Sequence, residues 1–184
     1  NFAAKTLAGV GVAFYLMLAL RAELEGRDWF TRQGLQVPNL ANLLDIVAVG
    51  TVADVVPLDQ NNRILVHQGL QRIRAGQCRP GITALLDVAQ RHASRLTATD
   101  LGFVIGPRLN AAGRLDDMAA GIECLLCSDT MEARARATEL DRLNQQRRTI
   151  EQEMKQQAQE SLASIQLDSS APPDAIVLFD EHFH

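Results

Sequence analysis

The chain has 184 residues, enough to bury a sizeable core in one domain or one and a half. Its apolar share of 47% excludes disorder throughout, and a single Trp and a single Tyr argue against recognition by extended base stacking. The net charge of −4 hides an asymmetry, with eight arginines against two aspartates from Arg63 to Arg114, then fourteen acids against six bases from Leu115 onward. A basic segment built of arginine alone suits planar, bidentate phosphate contacts. It is equally compatible with a solvated helical surface.

Residues 4–25 read as a helix that is hydrophobic on nearly every side, which belongs in an interior with covering layers. Its apolar run Leu7 to Leu20 is shorter than the roughly twenty residues a membrane-spanning helix needs, so it reads as a buried core helix and no membrane partner is expected. Gly9 and Gly11 in its first turns point to a close approach, either tight packing on a sheet or an anion or metal cluster at the helix start. A second helix is predicted from Asn39, a plausible N-cap, to about Val52, which leaves Asp54 at its C-terminal end before Pro57. Asn61 or Asn62 can cap the next helix, which ends near Gly76. Another covers Ile82 to Arg91, and Thr97 to Asp100 can cap one more that Pro107 halts.

After a short helix around 119–127, Asp129-Thr-Met-Glu132 has capping-box spacing for a long helix to about Ile165. Its apolar stripe runs through Leu140, Leu143, Ile150, Met154, Ala158, Leu162 and Ile165, and a helix of that length suits a connector between domains. Residues 168–173 read as a linker and 175–179 as a strand that opens a new folding unit. A start at Asn1 and a stop just past this strand are the pattern of a fragment. The three cysteines form no disulfide framework, which suggests a reducing, cytoplasmic setting. Cys124-Leu-Leu-Cys127 has redox or zinc spacing without a second ligand pair, so it reads as helix core.

Two segments carry chemistry. Gly50-Thr-Val-Ala-Asp-Val-Val-Pro-Leu58 puts one carboxylate, Asp54, among uncharged neighbours, where it needs a cation or hydrogen-bond donors. One aspartate cannot hold a divalent ion, and no other Asp/His cluster with ligand spacing is present, so Asp54 is either a helix-end residue bonded to nearby amides or one ligand of a larger set. Gly106-Pro-Arg-Leu-Asn-Ala-Ala-Gly-Arg-Leu115 reads as a turn bracketed by Pro107 and Gly113. In it Arg108, Arg114 and the amide of Asn110 could fork onto a phosphate, or the arginines could pair with Asp116, Asp117 or Glu123.

With Leu7–Phe14, Leu44–Leu58 followed by Asn62-Arg63, and Gly106–Leu115 in this order and spacing, the chain resembles the single-stranded-DNA-specific exonucleases of the DHH phosphoesterase superfamily. The likeness extends through the long helix to Phe179-Asp180. It implies an α/β family fold of which this chain is a predominantly α-helical fragment. Residues 1–128 would be the C-terminal part of the DHH-type catalytic domain, 129–166 the connector helix, and 167–184 the linker and first strand of a DHH-associated domain. It also implies Mn²⁺ or Mg²⁺ as cofactor and single-stranded DNA as partner, hydrolysed 5′ to 3′ in repair and recombination. Asp54 then maps to a catalytic metal ligand, and Arg108, Asn110 and Arg114 map to the substrate-phosphate path. The family's Asp-His-His motif and its glycine-histidine-rich motif do not occur in the chain, so the fragment itself is expected to be inactive. Two other expectations stand beside this one: an inactive nucleic-acid-binding scaffold, and a phosphodiesterase for short oligonucleotides or cyclic dinucleotides.

Overall fold

A computed structural model of the chain describes residues 5–115 and 117–164, together with 175, 177 and 179; the predicted linker and most of the predicted strand lie outside these. The described residues form helices and connections, with no strand among them. In chain order they are α1 (Gly9–Gly26), α2 (Trp29–Arg32), a 3₁₀ turn (Leu40–Leu43), α3 (Leu44–Ala53), α4 (Gln60–Arg74), α5 (Pro80–Val88), a 3₁₀ turn (Ala93–Arg95), α6 (Ala98–Asp100), a π-helical turn (Leu101–Ile105), α7 (Gly106–Leu115), α8 (Ala119–Leu126) and α9 (Thr130–Ser164). None is long and apolar enough to cross a membrane.

Helix α3 has no polar face: Val47, Ala48, Val49 and Thr51 are all buried. It can therefore exist only when packed on several sides. Helix α4 runs antiparallel to it, because Gly69, late in α4, lies against Leu44 at the start of α3. A Cβ on Gly69 would stand 2.2 Å from the Leu44 carbonyl oxygen and 2.4 Å from the Ala48 Cβ. On the other side α1 packs against α3, with Phe14 joining Leu40, Val47 and Leu65 in a small core. The larger core unites Val49 and Ile73 with Ile82, Leu85, Leu101, Ile105, Cys124 and, from α9, Ala133, Ala137, Leu140 and Leu143.

The expected boundaries need three corrections. Asp59, and not Asn61 or Asn62, caps α4, its carboxylate accepting from the Asn62 N–H at 2.9 Å. Asn62 lies inside the helix, fully buried, and donates to the Thr6 and Pro57 carbonyls at 2.9 and 2.8 Å. Pro107 does not halt a helix, because it stands in the first turn of α7, where a missing N–H costs little. Third, α1 is not enclosed: Gly11 and Phe14 are buried, while Val12, Leu16 and Leu20 are more than half exposed. The layers that its apolar outer face calls for are not among the described residues. Asn39, the Thr97–Asp100 capping box and the Asp129 cap of α9 sit where the sequence places them.

At Gly81 a Cβ would stand 2.0 Å from the Cys124 carbonyl oxygen, so α5 and α8 touch through backbone. Gly81→Val should destabilise the chain by about 3 kcal/mol or more through overpacking against an immobile carbonyl. Urea unfolding measures it, and a change below about 0.5 kcal/mol would contradict this packing.

Candidate phosphoesterase site

Asp54 is the C-cap of α3, its backbone N–H bonded to the Gly50 carbonyl at 3.0 Å. The placement at the helix end agrees with the sequence, but the apolar setting does not: Asp54 is exposed, and the buried carboxylate of this segment is Asp45. Asp45 accepts from the Arg79 backbone N–H at 2.9 Å and pairs with the Arg79 guanidinium, which ties the start of α3 to the start of α5. Among the described residues no side chain pairs with the Asp54 carboxylate, and the helix dipole disfavours a negative charge there.

The residue after it is strained. Val55 adopts φ 56°, the left-handed region that β-branched side chains avoid, while its side chain is 86% exposed. Such backbone persists only where its surroundings over-determine it. Here they do: the next four residues end at Asp59, which accepts from the Thr6 hydroxyl as well as from the Asn62 N–H, and Asn62, three residues further on, holds the Pro57 carbonyl. Those hydrogen bonds, the Asn62 amide first and the Thr6 hydroxyl second, hold the Asp59 carboxyl below its ordinary range against a small opposing effect of desolvation. Thr6, Asp59 and Asn62 were not legible as a set. Only the amide of a buried Asn after a Pro and an Asp hints at them.

The expected arginine turn is a helix. Along α7, Gly106, Asn110 and Arg114 fall at i, i+4 and i+8 and so share one stripe, while Arg108 projects from about the opposite side. The stripe begins beside Asp54: Gly106 seats on Ala53, 3.3 Å from its Cβ at the position a side chain would take, and Gly102 seats likewise on Val52 at 3.1 Å. Asn110 and Arg114 are exposed. The Arg114 backbone lies roughly 12 Å along the helix from Gly106, two turns further on. Of the alternative partners, Glu123 is taken by Arg136 and Asp117 accepts from the Ala119 N–H, while Asp116 is outside the described residues.

Arg108 points inward, its side chain 12% exposed. Its Nε and Nη2 donate to Asp141 of α9 at 2.8 and 2.7 Å, and Nη1 donates to the Val104 carbonyl of the π turn at 2.7 Å. Other members of the basic segment are spent in the same way, Arg72 on Asn42, Arg74 on the Leu96 carbonyl and Arg79 on Asp45. The cysteines are chemically quiet. Burial pushes the Cys124 thiol up to about 11 and raises Cys78 and Cys127 as well, so none offers a thiolate at neutral pH.

Among the described residues no three His, Cys, Asp or Glu side chains group closely enough to hold a metal ion. Asp54 is open, anionic and without a partner among those residues, which fits one oxygen ligand of a divalent ion and no more.

No protein-family model matches the chain. It is 58% identical over 183 residues to the single-stranded-DNA-specific exonuclease RecJ of Dickeya dadantii, an alignment covering 100% of this chain and 32% of that protein. Two crystal structures superpose with a TM-score of 0.68 at 38% identity: exonuclease RecJ bound to manganese, over 84% of this chain and 37% of that one, and RecJ of Thermus thermophilus in complex with Mg²⁺, over 85% and 23%. The helical bundle that carries Asp54 and α7 thus has the fold of a segment of these nucleases. More narrowly, the chain matches RecJ along its whole length, and it spans about a third of the length of the curated relative it matches.

Two outcomes follow from the loop after Asp54. Val55→Asn, which accepts the left-handed region, should raise the unfolding free energy by about 1 kcal/mol; a loss of stability would mean that the valine is not strained. Asp59 has a lowered carboxyl pKa, so its contribution is complete at neutral pH and is lost as pH falls through that value. Below about pH 4, stability of the wild type should therefore decline more steeply than that of Asp59→Asn. Parallel acid limbs in denaturant titrations would refute it.

Proposed function

We propose that the chain is the part of a single-stranded-DNA exonuclease that supplies one metal ligand and one wall of the strand path. Asp54 is the catalytic residue, binding one of the divalent ions, Mn²⁺ or Mg²⁺, whose other ligands come from elsewhere in the intact protein. The ions supply charge neutralisation at the reacting phosphate when bound. The observation that carries the proposal is that Ala53, directly before the exposed Asp54, packs on Gly106, whose helix presents the exposed Asn110 and Arg114 at the next two turns of one stripe. An acid that no described group of the chain neutralises suits a cation, and an open guanidinium suits a phosphate.

The residues divide the work by position. Asp54 holds its charge at the end of a helix that cannot shift, because α1, α4 and the π turn clamp it. Asn110 donates to, or accepts from, the strand one helical turn further on. Arg114 binds a backbone phosphate of the strand, from a position two helical turns beyond Gly106. Arg108 stands behind this wall. Hydrolysis running 5′ to 3′, a role in repair and recombination, a cytoplasmic location and the three-part division at 128 and 166 belong to the same proposal and rest on the likeness to the relatives.

In the full-length protein, Asp54→Ala should lower Mn²⁺-dependent degradation of single-stranded DNA at least about a hundredfold. Wild-type rates would remove Asp54 from the site. Arg114→Ala should weaken strand binding and reduce the slope of log affinity against log salt by roughly 0.7, while the uncharged Asn110→Ala weakens binding at unchanged slope. Equal slopes for wild type and Arg114→Ala would take Arg114 off the phosphate path.

A further inference from the structure

Asp141 is the residue of the long helix that reaches furthest into the candidate site's support. Its carboxylate receives two donors from Arg108, 33 residues away, and a third from Gln145 Nε2 at 2.7 Å, which fixes its orientation from within α9. The Arg108 guanidinium is planar and rigid, and its remaining terminal nitrogen holds the Val104 carbonyl. Val104 and Arg108 flank Gly106, the residue seated on Ala53 directly before Asp54. One guanidinium thus fastens α9 and the π turn together around the point where α7 touches the acid-bearing helix.

An ion pair this enclosed, 12% and 17% exposed, adds little stability compared with an apolar pair of the same volume. What it does specify is register, since a slide of α9 by one turn would strand both charges. π-Helical turns are uncommon, and the one at Leu101–Ile105 leaves the contact with Val52 and Ala53 dependent on what holds it from behind.

We infer that Asp141 is a positioning residue for the phosphodiesterase reaction, acting through Arg108 to set Asp54 and the Asn110–Arg114 stripe in their working separation. The inference rests on the assignment of Asp54 and Arg114 to the site. It gives Arg108 a task different from direct phosphate contact, and it gives the connector helix a part in catalysis beyond joining two units.

The test uses the full-length enzyme with Mn²⁺ and a single-stranded DNA substrate, assayed well below the unfolding temperature of every variant. Asp141→Asn keeps the volume and removes the charge, and should lower kcat about tenfold, the scale of a sub-ångström misplacement, with KM for the strand changed much less. Asp141→Glu should recover most of the rate. In the metal-free enzyme, amide exchange over residues 50–56 should quicken in Asp141→Asn. A lowered Tm with wild-type kcat and unchanged exchange would reduce the pair to a purely structural role and overturn the inference. Should Asp141→Asn fail to fold, Arg108→Lys keeps the charge but cannot hold Asp141 and Val104 at once. A wild-type kcat for that variant overturns the inference equally. Asp54→Ala, run alongside, separates the two claims. If it is inactive while Asp141→Asn and Arg108→Lys match the wild type, only the positioning role fails; if it is active, the site assignment fails as well.

Discussion

Everything near Asp54 depends on how closely other backbones approach α3. Four glycines make that approach possible: Gly50 in α3 admits Val10, Gly69 admits the α3 backbone at Leu44, and Gly102 and Gly106 receive Val52 and Ala53. A helix touched at such distances has no freedom to rotate or slide, because protein interiors respond to added volume by strain and not by flow. The acid at its end therefore inherits a fixed position from the packing of its helix. For the metal ligand proposed at Asp54, this placement leaves the carboxylate without a partner among the described residues that would compete with an ion.

The charge pattern gains a different meaning once the fold is known. The arginine-only stretch from Arg63 to Arg114 looks like a phosphate-binding surface, yet Arg72, Arg74, Arg79 and Arg108 are all engaged with oxygens of the chain itself. Each joins elements distant in sequence, and Arg74 does so through the carbonyl of Leu96, which closes a 3₁₀ turn. Arginine's fork of donors suits this stitching as well as it suits phosphate. Sequence counts cannot separate the two uses, because both select the same side chain. Arg114 remains available for the second.

Several helix caps were legible from a local rule, though not that of α4, where Asp59 caps in place of Asn61 or Asn62. Asn39, Thr97 and Asp129 act as caps, Gly76 ends α4 with a positive φ, and Asp54 closes α3. The sequence misled where two rules competed. Pro107 and Gly113 read as turn formers, but Pro is harmless in a first helical turn, and the preceding π turn carries the chain straight into α7. Reading 106–115 as a turn brought Arg108, Asn110 and Arg114 together, whereas a helix spreads them along and around its axis. The site's membership could be proposed from the sequence; its geometry could not. Asp141 was invisible for a related reason, as one acid among fourteen in the tail, with nothing in its local sequence to set it apart from Glu139 or Glu151, which pair along the helix.

Helix α9 is fully buried over its first half only, at Ala133, Ala137, Leu140, Leu143 and Asn144, while Ile150 and Met154 beyond them are half-buried and line a groove with Leu115 of α7. The stretch from Asn144 to Ser164 extends for about 30 Å. Mechanically this is a lever, with the Asp141–Arg108 pair close to its fulcrum. A tilt of about 10° at the docked half displaces the far end by about 5 Å, and a push at the far end returns to the fulcrum as torque on the guanidinium that braces Gly106 against Ala53. The brace that this helix carries thus ends one residue from Asp54.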